Sequence, residues 1–373
     1  MKKNKLLIAI GAVVLIVVGI ISFLCYKDGQ LSDASNIIRI ATVLPLTGEF
    51  GKEGELARKV FDYSARAFNE RNSGMKIELK HHDGKYAPKD SLMAYNKAVS
   101  EKPSVIIVYG DVPCNCLSKT IAEGELPVVA IAADNDIPHQ SSQIFRGWVS
   151  TKLENKTLAE FAYNDLSKHA VAILYLKNNF GDIARDNFRD AFGSLGGRIV
   201  SEESFDATDS TLRSQVAKIL SSQPEAIYVI GFGLSFSTAI NQIKEARFSG
   251  PILSNTIISV PSVNKNIINR GEGVYFIDTA FDAKVENSFS DAFASSVGEA
   301  PTSFGAFEYE IVRLIGEIGV EYGKNSKQIQ KGLSSLRRVK TLMGDFSYDN
   351  EGEVAIKLMP KQMRADGTFV PAR

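Results

Sequence analysis

The chain alternates strand-like and helix-like segments twice over, and nothing else in it narrows the possible folds so far. Residues 37–44 are β-branched, end at Pro45 and read as a strand. Residues 54–72 read as an amphipathic helix. Leu56, Val60, Phe61, Ala65 and Phe68 share one stripe, with Arg58, Lys59, Asp62 and Glu70 largely off it. A strand at 76–82, a helix at 88–101, a buried strand at 104–109, a short helix at 117–124 and a strand at 127–133 complete a first block. The order then restarts: helix 153–168, strand 170–176, helix 181–195, strand 198–205, helix 210–221, strand 226–231, helix 235–246 and strand 252–255. Such alternation requires a parallel sheet with helices on both faces. Two blocks in tandem predict an α/β protein of two doubly wound lobes. Each lobe binds ligands at the carboxyl ends of its strands, and facing lobes form a cleft that closes on a hinge.

The first residues say where such a cleft works. Lys2, Lys3 and Lys5 precede an apolar run from Leu6 to Leu24, interrupted only by Gly11, Gly19 and Ser22. This is the layout of a secretory signal or signal anchor. Its length favours an uncleaved helix across the cytoplasmic membrane, since cleaved signals have shorter apolar regions and a span takes about 20 residues. The positive-inside rule places the domain after Lys27 on the extracytoplasmic side, periplasmic in a two-membrane cell. Two alternatives stay open. Ser32 and Ala34 offer a cleavage site after Ala34, and Cys25 is a lipidation candidate with an unfavourable approach in the bulky Phe23 and Leu24. Residues 27–36 read as a polar linker.

Composition excludes other classes. The chain has 43 basic and 43 acidic residues. Without Lys2, Lys3, Lys5, Lys27, Asp28 and Asp33 these become 39 and 41, a net of −2. Nucleic-acid binding would demand a basic excess. The cysteines are Cys25, Cys114 and Cys116. The last two are too close for a relaxed disulfide and lack zinc spacing, so no structural metal or bridge is expected. No Walker loop, H-E-x-x-H or G-x-S-x-G occurs, and an enzyme is not expected. The glycine pair Gly231 and Gly233 is an incomplete nucleotide fingerprint and reads as a turn. His81-His82-Asp83 is a weak metal candidate, because adjacent strand residues point to opposite faces. No cofactor is implied.

Residues 40–48, Ile-Ala-Thr-Val-Leu-Pro-Leu-Thr-Gly, followed by Gly51 and Gly54, resemble the opening of the leucine/isoleucine/valine-binding proteins. These are the type I periplasmic substrate-binding proteins that serve branched-chain amino acid ABC transporters. The resemblance continues through residues 83–88, 106–110, 126–133, 175–181, 301–309 and 346–349 with Gly352. It implies three hinge crossings, near 147–150, 278–281 and 343–346. Residues 37–148 and 280–343 would then form one lobe, and 149–279 with 344–373 the other.

The same resemblance implies a cleft. The loop after the 105–109 strand, which gives the family a serine for the ligand carboxylate, carries Cys114 and Asn115. The loop after 128–131, which gives a backbone amide and a threonine, carries Ala132 and Asp134. The second-lobe acid that holds the ligand ammonium falls at Thr256, aromatic walls at Phe180, Phe232 and Phe304, and a first-lobe tyrosine at Glu53. These departures break the α-amino-acid clamp at both ends. Asp134 repels a carboxylate, and Thr256 cannot neutralise an ammonium. The expected ligand is cationic or neutral and partly apolar, not a standard branched-chain amino acid. The function expected is solute capture for an ABC permease. The rival is a membrane-anchored sensor or cell-envelope assembly partner with the same fold.

Overall fold

The computed structural model describes residues 36–267, 272–284 and 286–372. The expected apolar N-terminal helix and most of its linker lie outside the described residues. Among those residues no helix is long and apolar enough to cross a membrane.

The first lobe is a five-stranded parallel sheet. Strands β1 (Ile37–Leu44), β2 (Lys76–Asp83), β3 (Val105–Tyr109), β4 (Val128–Ile131) and β5 (Ile144–Arg146) stand in the order β2-β1-β3-β4-β5. β1, β3 and β4 read as near-continuous apolar runs because both faces are covered. One face packs on α1 (Gly51–Arg71), where Ala57, Phe61, Ala65 and Phe68 join Ile38, Ile40 and Ile107 in one buried cluster. The other face packs on α2 (Pro88–Ser100) and α3 (Asp111–Ala122) through Ala94, Tyr95, Cys114 and Leu117.

The chain leaves β5 through Gly147–Ser150 into α4 (Thr151–Glu160), which is capped by Ser150 Oγ and continued by a π-turn. The second lobe contains β6 (Ala170–Leu176), α5 (Asn179–Ser194), β7 (Arg198–Phe205), α6 (Arg213–Ser221), β8 (Ala226–Ile230), α7 (Gly233–Glu245) and β9 (Ile252–Ser254). A short helix α8 (Pro261–Asn264) and β10 (Val274–Asp278) come next. Helices α6 and α7 cover one sheet face, α4 and α5 the other.

The chain then returns to the first lobe. α9 (Asn287–Val297), α10 (Ser303–Tyr322) and α11 (Ser326–Ser335) lead into β11 (Val339–Thr341), β12 (Gly344–Tyr348) and β13 (Val354–Ile356), a small antiparallel sheet. Phe307, Ile311, Val312 and Ile315 of α10 complete the core above α1. Finally β14 (Met359–Met363) and β15 (Phe369–Pro371) add to β10, giving the second sheet the order β15-β14-β10-β9-β8-β6-β7.

Three features differ from the sequence reading. The second sheet is not wholly parallel, since β14 and β15 join it antiparallel. Residues 344–356 pack with the first lobe rather than the second: Phe346, Tyr348 and Val354 are buried in the α1 and α10 core, so the chain re-enters the second lobe only at Met359. Helix α3 begins six residues before the expected 117. Gly110, at φ +99°, turns the chain out of β3, and Pro113 sits in the first turn, where a missing amide costs nothing.

A buried ion pair staples the lobes where β10 ends. Lys361 Nζ lies 2.9 Å from Asp278 Oδ2 and donates to the Phe281 carbonyl at 2.8 Å, while Ser303 Oγ donates to Asp278 Oδ2 at 2.6 Å. Breaking such a pair leaves a buried charge uncompensated. Lys361→Met should therefore lower unfolding free energy by about 3–5 kcal/mol. Asp278→Asn combined with Lys361→Met should recover part of that loss, as read by urea denaturation of the three proteins.

Candidate functional site

Ligands of open α/β sheets sit outside the strand carboxyl ends where the strand order reverses. In the first sheet this point lies between β1 and β3, in the second between β6 and β8. Three loops build the first-lobe edge. Asp83, at the end of β2, accepts from the amides of Leu46, Thr47 and Lys85 and from Thr47 Oγ1, fixing the loop after β1. The Tyr86 ring lies over Gly110, where a Cβ would come within 2.1 Å of it, and its hydroxyl sits beside the Asp111 and Val112 amides. The loop after β4 is held from both sides. Asp111 Oδ1 accepts from the amides of Ala133 (2.8 Å) and Asp134 (2.9 Å). The fully buried Arg146 donates to the carbonyls of Ala132 (2.7 Å), Asp134 (2.7 Å) and Asn135 (3.3 Å), and to Glu353 Oε1 at 2.6 Å.

The second-lobe edge is aromatic. Phe180 opens α5 after the Asn178 cap, which accepts from Gly181 N at 2.8 Å. Phe232 ends the β8 turn. Their ring centroids lie 6.2 Å apart, so the two flank the switch point between β6 and β8. Asn135 and Asn187 link the lobes through reciprocal amide contacts of 3.1 and 3.4 Å.

The remaining expected residues are spread over both lobes. Cys114 is buried, with Sγ 3.6 Å from the Val108 carbonyl. Asn115 Nδ2 donates to Asp134 Oδ2 at 2.9 Å, and Asp134 Oδ1 accepts from the Asp136 amide at 3.2 Å, so both Asp134 oxygens are engaged within the lobe. The Ala132 amide bonds the Ala130 carbonyl. Glu53 is exposed in the first turn of α1. Phe304 stacks on Trp148 at 3.8 Å. Thr256 is buried, its amide and hydroxyl donating to Glu154 Oε1 at 2.7 and 2.6 Å. His81 turns to Thr42 and Asp62, and His82 to Glu101 on the opposite face. Among the described residues no group of three metal-ligating side chains forms.

The sequence reading missed three acids: Asp111, Glu154 and Glu308. Glu154 and Glu308 interrupt apolar helix faces, which was their only signal; Asp111 comes directly after the glycine that ends β3. Glu154 lines a hinge cavity of about 10 Å³, roughly one water, with Trp148, Thr256 and Asp278 among its walls. Burial raises its pKa to about 7, against the opposing hydrogen bonds from Thr256 and with a further push from Asp278.

The sequence profile of the periplasmic binding protein family matches residues 37–367. The chain belongs to that family. It is 21% identical over 329 residues to the Leu/Ile/Val-binding protein homolog 1 of Brucella suis biovar 1, covering 83% of this chain and 85% of that one. Its fold matches the branched-chain amino acid transporter substrate-binding protein LivJ of Streptococcus pneumoniae in complex with isoleucine. The TM-score is 0.77 at 19% identity, over 89% of this chain and 97% of that one. It also matches a solute-binding protein of an ABC transporter from Rhodopseudomonas palustris in complex with 3,4-dihydroxybenzoic acid. There the TM-score is 0.74 at 16% identity, over 90% of this chain and 95% of that one. The two-lobed α/β architecture is that of the type I periplasmic binding proteins.

Glu154 makes stability depend on pH. Its folded pKa lies above the ordinary 4.5, so the folded state holds a proton that the unfolded state releases. Its contribution is full below about pH 4.5 and declines as pH rises to about 7, by on the order of 3 kcal/mol. Glu154→Gln imitates the protonated form. Its stability relative to the parent should rise between pH 5 and 8, as measured by denaturant titration at each pH.

Proposed function

We propose that this protein is an extracytoplasmic solute-binding protein. It captures a small ligand between its two lobes and delivers it to an ABC transporter permease, from a position tethered to the cytoplasmic membrane by residues 6–24. The observation that carries this is the placement of an aromatic pair, Phe180 and Phe232, at the switch point of the second sheet, in a family whose relatives are named for solute binding. A protein that used the fold only for assembly has no need of aromatic side chains there.

The ligand is not a standard branched-chain amino acid. At the first-lobe edge the Ala132 amide already bonds the Ala130 carbonyl, and the next two amides, of Ala133 and Asp134, already serve Asp111 Oδ1. An incoming carboxylate must displace a resident one and approach Asp134 as well, at a Coulombic cost. At the second lobe Thr256 answers to Glu154, leaving no acid on β9 for an ammonium. A neutral or cationic solute with an apolar part suits these walls, and cation–π contact with Phe180 and Phe232 adds to its binding.

Thermal unfolding of the full chain in detergent tests the reading, since a ligand bound only by the folded state raises Tm. Leucine, isoleucine and valine at about 1 mM should leave Tm unchanged, and an apolar amine should raise it. Phe232→Ala should abolish that rise. Asp111→Ala, which frees the two amides, should let leucine raise Tm. Failure of every amine, amino acid and neutral amide to shift Tm would favour the anchored sensor or assembly partner.

A further inference from the structure

We propose that the Glu308 carboxylate and the Tyr109 hydroxyl together anchor an ammonium or similar cationic group of the ligand at the first-lobe end of the cleft. The inference rests on the solute-binding reading and adds the group that selects the solute. Glu308 stands in the second turn of α10 and is 4% exposed. It makes no hydrogen bond or ion pair among the described residues. That sets it apart from the molecule's other buried acids. Glu154 receives Thr256, Asp278 receives Lys361 and Ser303, and Glu310 receives Arg313 and the Leu342 amide. A carboxyl with no protein partner on a nearly buried residue needs solvent or a ligand to complete it.

Position says what completes it. Tyr109 is the last residue of β3, one of the two strands at the first-sheet switch point, and it packs against the cluster that holds Phe307 and Ile311, the α10 residues on either side of Glu308. The other titratable groups acting on Tyr109 are Tyr86 and Glu53. The surroundings are therefore phenolic and acidic, which rejects an anion and favours a cation. One turn earlier on α10, Phe304 stacks on Trp148, giving an apolar face beside the charge. Burial pushes the Glu308 carboxyl up to about 8, so near neutral pH it is largely protonated until a cation arrives. Binding a cation then expels that proton, a signature that a merely structural acid would not give.

The test is calorimetry on the full chain in detergent at pH 7, in two buffers of different ionisation heat. The probes are 2-phenylethylamine, its neutral counterpart 2-phenylethanol, and leucine. The amine should bind at least about tenfold more tightly than the alcohol and release about one proton per ligand. Glu308→Gln should weaken the amine roughly ten- to a hundredfold, leave the alcohol unchanged and abolish proton release. Tyr109→Phe should weaken the amine severalfold, and it carries the test if Glu308→Gln does not fold. If amine and alcohol bind equally, or if Glu308→Gln keeps the proton release, the anchor is wrong while solute binding stands. If none of the three probes binds the unmodified protein, the solute-binding reading falls and the anchor with it.

Discussion

The first-lobe edge depends on one guanidinium. Arg146 ends β5 with its side chain fully buried, and its donors reach three carbonyls of the 132–135 loop as well as Glu353. Its backbone is held too: its amide bonds the Gly352 carbonyl, and Tyr348 Oη donates to its own carbonyl at 2.8 Å. One residue thus ties the edge of the first sheet, the loop after β4 and the small antiparallel sheet. A lysine could not do this, because a point charge lacks the planar fork that serves several acceptors at fixed angles. The loop's carbonyls face Arg146, two of its amides face Asp111, and the Ala132 amide turns back to Ala130. It is a finished structure in its own right.

The parallel lobes were legible because burial on two faces writes itself into apolar strands, and helix stripes recur at a regular spacing. The expected spans agree with β1, β3, β6 and β7 almost to the residue. What was lost lies where local pattern stops deciding structure. Pro113 and the Cys-x-Cys pair disguised the first turn of α3. Four of the three-residue strands, β5, β11, β13 and β15, show no period, whereas β9 is marked by its apolar residues after Pro251. Phe346 read as part of a crossing and Tyr348 as part of the second lobe, and only tertiary contact with Phe307 and Phe145 shows that they are core.

The residues around the cleft were harder still. Resemblance points to loops at the strand ends, but it cannot show which side chains of other elements bond them. Asp111 and Glu154 each do this from another element, one from the start of α3 and one from α4. Both acids stand in the first turn of a helix that adjoins the strand ends.

The closing strands carry a consequence for how the molecule comes into being. Ser64 bonds the Tyr309 carbonyl across 245 positions of sequence, and Arg146 finds Glu353 across 207. The second sheet takes its last two strands from residues 359–371. Neither lobe can therefore finish its core during synthesis until these late segments have been made. Contacts this distant slow compaction and leave apolar strand edges uncovered in the meantime. The two strands at residues 359–371 are the last pieces the second core receives.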